Sequence, residues 1–340
     1  MKINHASIKK ILVINLAFIG DVLLTTPVTR ALRENYPGAD IDMLVVPVAE
    51  PIARLNPYIH QTLVYDKRGK HKKPSQLWQL IRQLRQQDYD LTVSTNFALR
   101  GSMVAWASGA RYRAGYDAQH AKWFLTHVAA SHRPVIRHEA ENQLDVLKPL
   151  GITTGNTSLT LQINPLDRQK AEEKVKRTPE KSLVVLCPAG SYPRKSWTVE
   201  GYAALLQSLS SQADCCLIGG PKEQACLEQI NHRAGNLAQV FGGTLTLGES
   251  SALISQADLL ITVDTAPLHI AQAVDTPVLA LFGPTDPKGW GPRGPRDIVL
   301  QAPAACAPCW GKGNCERHAC MEQISSDQVV SAALNMLGKQ

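Results

Sequence analysis

Asp21 follows Phe18-Ile19-Gly20 where the apolar run at residues 11–15 gives way to a helical stretch. That order sets a carboxylate beyond the carboxyl end of a strand. There it suits a general base taking a proton from an attacking hydroxyl. Asp is equally a favoured helix cap, stabilised by the helix dipole, and position alone leaves both readings open. The turn lacks G-x-G-x-x-G and is not a dinucleotide fingerprint.

Residues 188–195 (Pro-Ala-Gly-Ser-Tyr-Pro-Arg-Lys) lie between another apolar run and a helix. Small residues at Gly190 and Ser191 let the backbone approach a ligand. Arg194 and Lys195 can neutralise phosphate oxygens. The bland alternative is an exposed basic loop. In Asp264-Thr265-Ala266-Pro267-Leu268-His269 a polar turn opens a helix, with Pro267 near its first position. Backbone N–H groups and the Thr265 hydroxyl there would face an anion. The alternative is an ordinary cap with an incidental histidine. Phe282-Gly283-Pro284-Thr285-Asp286 is a similar strand exit, expected to line the same site.

The run 67–73 packs five cations into seven residues, including Arg68 and Lys70, and Arg100 follows a later strand. These read either as a solvated surface or as contacts to acceptor phosphates and anionic lipid headgroups. No aromatic platform or known module accompanies the charge, so nucleic acid is not an expected partner. Asp40-Ile41-Asp42 and Asp88-Tyr89-Asp90 imitate the Asp-x-Asp of metal-dependent sugar transferases. Each precedes a strand, so both are read as solvated turns away from the site. Cys306, Cys309, Cys315 and Cys320, with His318, have a zinc-like density but no standard spacing. Zinc, disulfides and free thiols all remain open for them.

The elements that must position these groups alternate. Apolar runs at 11–15, 41–46, 62–65, 91–94, 183–187, 215–218, 259–263 and 278–282 are separated by helical stretches, among them 22–35, 76–87, 199–210 and 222–234. Continuous apolar strands joined by helices imply parallel sheets covered on both faces, an α/β fold. The pattern weakens between 109 and 138, and 151–158 reads as a linker. The chain has 340 residues, 44% apolar and 19% charged, which suits two globular domains rather than disorder. We place an N-terminal domain at 1–158, a C-terminal domain at 159–325, and a closing helix at 326–340 that packs back on the first. A net charge of +7 suits anionic partners without selecting one. Lys9-Lys10 before the first apolar run imitates a signal peptide, but Gly20-Asp21 interrupts it and a buried strand is the better reading. No run is long enough for a transmembrane helix.

Taken together, Gly20-Asp21-Val22-Leu23-Leu24-Thr25-Thr26-Pro27, the loop through Lys195-Ser196-Trp197, the 264–269 turn and the 282–286 turn resemble glycosyltransferase family 9, the ADP-heptose:lipopolysaccharide heptosyltransferases. The resemblance spans nearly the whole chain. It implies a GT-B fold, in which two Rossmann-like domains set parallel sheets facing an interdomain cleft. It also implies inversion at the anomeric carbon, no catalytic metal and no cofactor beyond the ADP-heptose donor. Carried over by position, Asp21 is the base for an acceptor sugar hydroxyl. Lys195 holds the donor diphosphate beside Gly190 and Ser191. Asp264, Thr265, Ala266, Pro267 and His269 line the donor site, and Glu223 contacts the adenosine. Arg68, Lys70 and Arg100 fall on the side of the lipopolysaccharide core acceptor. The expected setting is cytoplasmic and peripheral, at the inner-membrane surface. The rival readings are a nucleotide-sugar epimerase of similar architecture, a transferase using another sugar donor, and a zinc-bearing anion-binding module.

Overall fold

The computed structural model describes residues 3–131, 135–190, 192–310, 315 and 319–338. The chain divides into two compact units, Met1–Gln162 and Ile163–Gln340. In the first, β1 (Lys10–Asn15), β2 (Asp40–Val45), β3 (Gln61–Val64), β4 (Leu91–Ser94), β5 (Tyr112–Tyr116) and β6 (His127–Ala129) form a parallel sheet ordered β3-β2-β1-β4-β5-β6. In the second, β7 (Ser182–Cys187), β8 (Ala213–Gly219), β9 (Ala238–Gly242), β10 (Leu259–Val263), β11 (Val278–Phe282) and β12 (Ile298–Gln301) form another, ordered β12-β11-β10-β7-β8-β9. Counted within its own unit, each sheet runs 3-2-1-4-5-6, the doubly wound order. The chain reverses direction between β1 and β4, and again between β7 and β10. At those switch points the loops part and leave room for a ligand.

The central strands are buried on both faces, which is why they read as unbroken apolar runs. Ile11, Leu12, Val13 and Ile14 are wholly buried, as are Val184, Val185 and Leu186. Each such side chain contributes roughly 1.5–3 kcal/mol relative to exposure. These strands make a stiff base for the loops at their carboxyl ends.

Four expectations change. The unit boundary lies at 162/163, not 158/159, because the linker is tied to the first unit. The Arg30 guanidinium donates to Asn156 Oδ1 at 2.6 Å, Thr160 N–H to Thr26 Oγ1 at 3.1 Å, and Gln162 N–H to the Leu55 carbonyl at 2.8 Å. The closing helix Ser326–Met336 joins the second unit's own core rather than returning to the first. Val329 and Ala333 are buried there with Trp197, Tyr202 and Leu206, and Trp197 Nε1 donates to the Ile324 carbonyl at 2.9 Å. The helix expected at 22–35 is two helices, Ile19–Leu24 and Thr26–Asn35. Pro27 has no N–H for the Leu23 carbonyl, and the Thr26 hydroxyl donates to it instead at 2.8 Å. Finally, Asp42 is no solvated turn. It is buried within β2 and accepts from Tyr89 Oη at 2.6 Å and Gln61 Nε2 at 2.8 Å. Asp90 accepts from the Lys9 and Lys10 N–H groups. Both carboxylates sit at the amino end of the first sheet, away from its switch point.

Among the described residues no helix is long and apolar enough to cross a membrane.

Candidate active site

In the second unit the switch point is built by the loops after β7 and β10. Gly190 makes the first loop possible: a Cβ there would lie 2.5 Å from Lys195 Cβ. Lys195 thereby folds inward, and its Nζ reaches Asp264 Oδ2 at 2.7 Å and the Asp264 carbonyl at 3.2 Å. Only 13% of the Lys195 side chain and 7% of Asp264 are exposed. The Tyr192 ring centroid lies 5.1 Å from the ammonium. Trp197 anchors the far end of the loop in the core. A Cβ on Gly201 would stand 2.5 Å from its indole, so that glycine makes room for the anchor.

Asp264 leads into the helix Ala266–Ala273, with Thr265 as its cap residue. The Thr265 side chain makes no capping hydrogen bond, and Pro267 occupies the first turn, where its missing N–H costs nothing. His269 is buried, with Nδ1 3.3 Å from Gln272 Oε1. Burial holds its pKa below the usual imidazole value; Asp264 opposes this, while Lys195 and Arg293 reinforce it. The site therefore presents a neutral imidazole and one compensated ion pair, with Arg293, which sequence reasoning passed over, close enough to act on the imidazole.

Glu223 precedes the helix Gln224–Arg233 and bends over Gly219-Gly220 at the end of β8. A Cβ on Gly220 would lie 2.6 Å from Glu223 Oε2. Its charge reaches Cys187, the last residue of β7, whose thiol is pushed up to about 12, mainly by burial. Glu223 thus stands beside the same strand ends as Lys195. Ser191 lies outside the described residues.

In the first unit the loops after β1 and β4 are latched together. The Leu16 N–H donates to Asn96 Oδ1 at 2.6 Å, and Asn96 Nδ2 to Asn15 Oδ1 at 3.1 Å. Asp21 is not the cap residue itself. It is the third residue of Ile19–Leu24, and its Oδ2 accepts the Phe18 N–H at 3.1 Å. Its carbonyl is held by Asn15 Nδ2 at 3.1 Å and Thr25 Oγ1 at 2.8 Å. The capping geometry is thus present, and the carboxylate it orients stands just past the loop 16–18.

That loop borders a cavity of about 920 Å³, together with Val48, Phe97, Lys67, Arg68 and Arg100. Arg68 and Arg100 also line an adjoining cavity of about 700 Å³. Lys70 lines neither: it is exposed, its N–H taken by Asp66 Oδ2 at 2.9 Å. Lys67 takes its place. Its Nζ donates to the Leu16 carbonyl at 2.7 Å, and burial, then Arg100 and Arg68, lower its pKa. Lys67 belongs to the basic run at 67–73. Asp66 is absorbed locally, accepting N–H bonds from Lys70 and Gly69 that lower its pKa. The cavity rim is therefore net cationic.

The 282–286 turn leaves β11 beside the end of β10, and Trp290 just after it lies 6.4 Å from the His269 ring. Gly283 backs onto Cys320 and Met321, where a Cβ would be 2.4 Å from the methionine sulfur. None of the eight cysteines is in a disulfide. Among the described residues no three His, Cys, Asp or Glu side chains are arranged to hold a metal ion, and His318 lies outside them.

Comparison with known proteins resolves the class. The profile of glycosyltransferase family 9 (heptosyltransferase) matches residues 77–320. The chain belongs to that family. This family 9 glycosyltransferase is 33% identical to lipopolysaccharide heptosyltransferase 3 of Escherichia coli K12 over 286 residues, covering 80% of this chain and 82% of that protein. A crystal structure of a family 9 glycosyltransferase from Veillonella parvula superposes with a TM-score of 0.84 at 27% identity, covering 97% of each chain. The E. coli ADP-heptose lipopolysaccharide heptosyltransferase II superposes with a TM-score of 0.81 at 20% identity, covering 96% of this chain and 98% of that one. The two doubly wound units are thus the GT-B fold of these enzymes, and the family 9 member is a glycosyltransferase.

Proposed function

We propose that this enzyme transfers a heptose from ADP-heptose to a sugar hydroxyl of the lipopolysaccharide core, with inversion and without a catalytic metal. The observation that carries the reading is the buried Lys195–Asp264 pair at the β7/β10 switch point, beside neutral His269 and the open start of a helix. The activities of the two E. coli relatives support the choice of donor and acceptor.

The acceptor oxygen attacks the anomeric carbon as the bond to the diphosphate breaks. Asp21 takes the acceptor proton. ADP leaves with the bond's electron pair. Without a metal, fixed cations and amide dipoles must meet that charge. Lys195 and the N–H groups following Thr265 are assigned that part, with Gly190 and Ser191 beside the diphosphate and Glu223 on the nucleoside. Ala266 and Pro267 shape the turn. Lys67, Arg68 and Arg100 receive acidic groups of the acceptor. The acceptor is lipid-linked, so the enzyme works as a peripheral protein on the cytoplasmic face of the inner membrane, and nucleic acid takes no part.

The test is incubation with ADP-heptose and truncated lipopolysaccharide cores, following ADP release, with and without a chelator. Transfer that survives chelation is expected. Hydrolysis or isomerisation of the donor with no glycosylated core would overturn the proposal, and metal-dependent turnover would overturn its metal-free form.

A further inference from the structure

The three most exposed of the chain's six tryptophans lie in one stretch of the first unit: Trp78 at 61%, Trp106 at 53% and Trp123 at 77%. An exposed indole is unusual; several together mark a contact surface. The structure brings their elements side by side. Trp78 lies on the helix Pro74–Gln86. Trp106 lies on Leu99–Ala107, one turn after exposed Met103 and two after exposed Arg100, so all three share a helix face. Leu77 and Ile81 of the first helix face Met103 and Trp106 of the second across the 700 Å³ cavity. Trp123 follows in the short helix Ala121–Phe124, which is joined to the second helix through a Trp106–Phe124 ring contact of 5.9 Å.

Charge selects the occupant. Residues 67–87 and 97–116 together contain ten Lys and Arg and no Asp or Glu. Cations lie directly against the indoles: the Arg82 guanidinium is 5.6 Å from the Trp78 ring centroid, and Lys122 Nζ is 5.9 Å from that of Trp123. An amphipathic ring with a cation beside it is matched to the boundary between acyl chains and anionic headgroups. We propose that this face, carrying Trp78, Trp106 and Trp123, docks on an anionic phospholipid bilayer and so delivers the cationic cavity to its lipid-linked acceptor. The proposal deepens the peripheral reading above and rests on it for the choice of surface.

The experiment uses the full-length protein. Sedimentation is measured with vesicles of phosphatidylcholine alone and of phosphatidylcholine mixed with phosphatidylglycerol. Wild type should pellet with the mixed vesicles only, and brominated acyl chains should quench its tryptophan fluorescence. The triple variant W78A/W106A/W123A should keep its circular dichroism and its ADP affinity, yet partition at least about tenfold more weakly. K72Q/K73Q/R82Q should lose roughly fivefold per charge at low salt. A triple variant that binds vesicles like wild type overturns this face while leaving peripheral binding intact. Wild type that transfers heptose but ignores anionic vesicles overturns the docking and leaves the activity standing. Concentration-dependent self-association that shields the three indoles, seen by sedimentation velocity, replaces the bilayer with a second copy.

Discussion

At the β7/β10 switch point Lys195 is 13% exposed and its ammonium is fixed 2.7 Å from Asp264. At the β1/β4 switch point Arg68 and Arg100 are exposed, and among the described residues neither has a carboxylate within ion-pair distance. The sheets have one topology, yet the cations are held in opposite ways. A buried pair adds little net stability, but it fixes a charge in place before the ligand arrives. That suits a small diphosphate whose developing charge must be met without rearrangement. Open arginines around about 920 Å³ suit a large acceptor carrying several acidic groups. On the proposed reading, one site serves precision and the other capture.

The largest expected effect breaks the comparison at the chemistry. Asp21→Asn should cut transfer by about two orders of magnitude or more, with ADP affinity unchanged by calorimetry. An asparagine Oδ1 still accepts the Phe18 N–H, so folding should hold. Turnover near wild type would return Asp21 to capping alone. Next comes Lys195→Met, which strands a buried Asp264 and should cost roughly 3–5 kcal/mol in urea unfolding. Arg68→Gln with Arg100→Gln should stay within about 0.5 kcal/mol. The double variant Lys195→Met, Asp264→Leu should regain most of the stability while ADP binding stays lost. Equal stability losses at the two sites would erase the distinction. In kinetics the arginine pair should raise the acceptor KM about tenfold, an effect that shrinks with added salt, while kcat changes little.

Legibility in the sequence followed burial. The central strands announced themselves because both faces are covered and their runs are mostly apolar. β5, β6, β9 and β12 did not. β5 carries Arg113 and Gly115, β6 has three residues, and every residue of β9 is only half-buried. Lys195 and Asp264 were recognisable at strand ends and His269 in the helix that follows Asp264, and the fold does gather them. What stayed hidden depended on long-range partners. Nothing local distinguishes Lys67, which turns in toward the Leu16 carbonyl, from Lys70, which faces out. Arg293 lies far from the other site residues in sequence, yet its charge reaches His269. The closing helix was misassigned because its apolar face does not say which core it fills.

The smallest effect concerns pH and sharpens the contrast between a locked and an adaptable site. His71 is buried under the basic turn, and its Nδ1 accepts the Asp66 N–H at 2.9 Å, so the ring is neutral there. Burial, then Lys70, lowers its pKa, against the pull of Asp66. The unfolded chain, with a pKa of about 6.5, therefore takes up the proton first. The stability from the neutral ring is full above about pH 6.5 and is lost as pH falls through the folded value. A proton on Nδ1 also opposes the Asp66 N–H, so acid should loosen the 66–71 turn that carries Lys67 and Arg68. His269 shares the sign of the shift, but its loss should appear in ADP affinity rather than in the acceptor KM. The acceptor KM should rise modestly on acidification in wild type and less in His71→Asn, whose Oδ1 can take over as acceptor. Ring-proton titration gives the decisive reading: a His71 pKa at or above 6.5 would mean that the turn does not depend on a neutral imidazole.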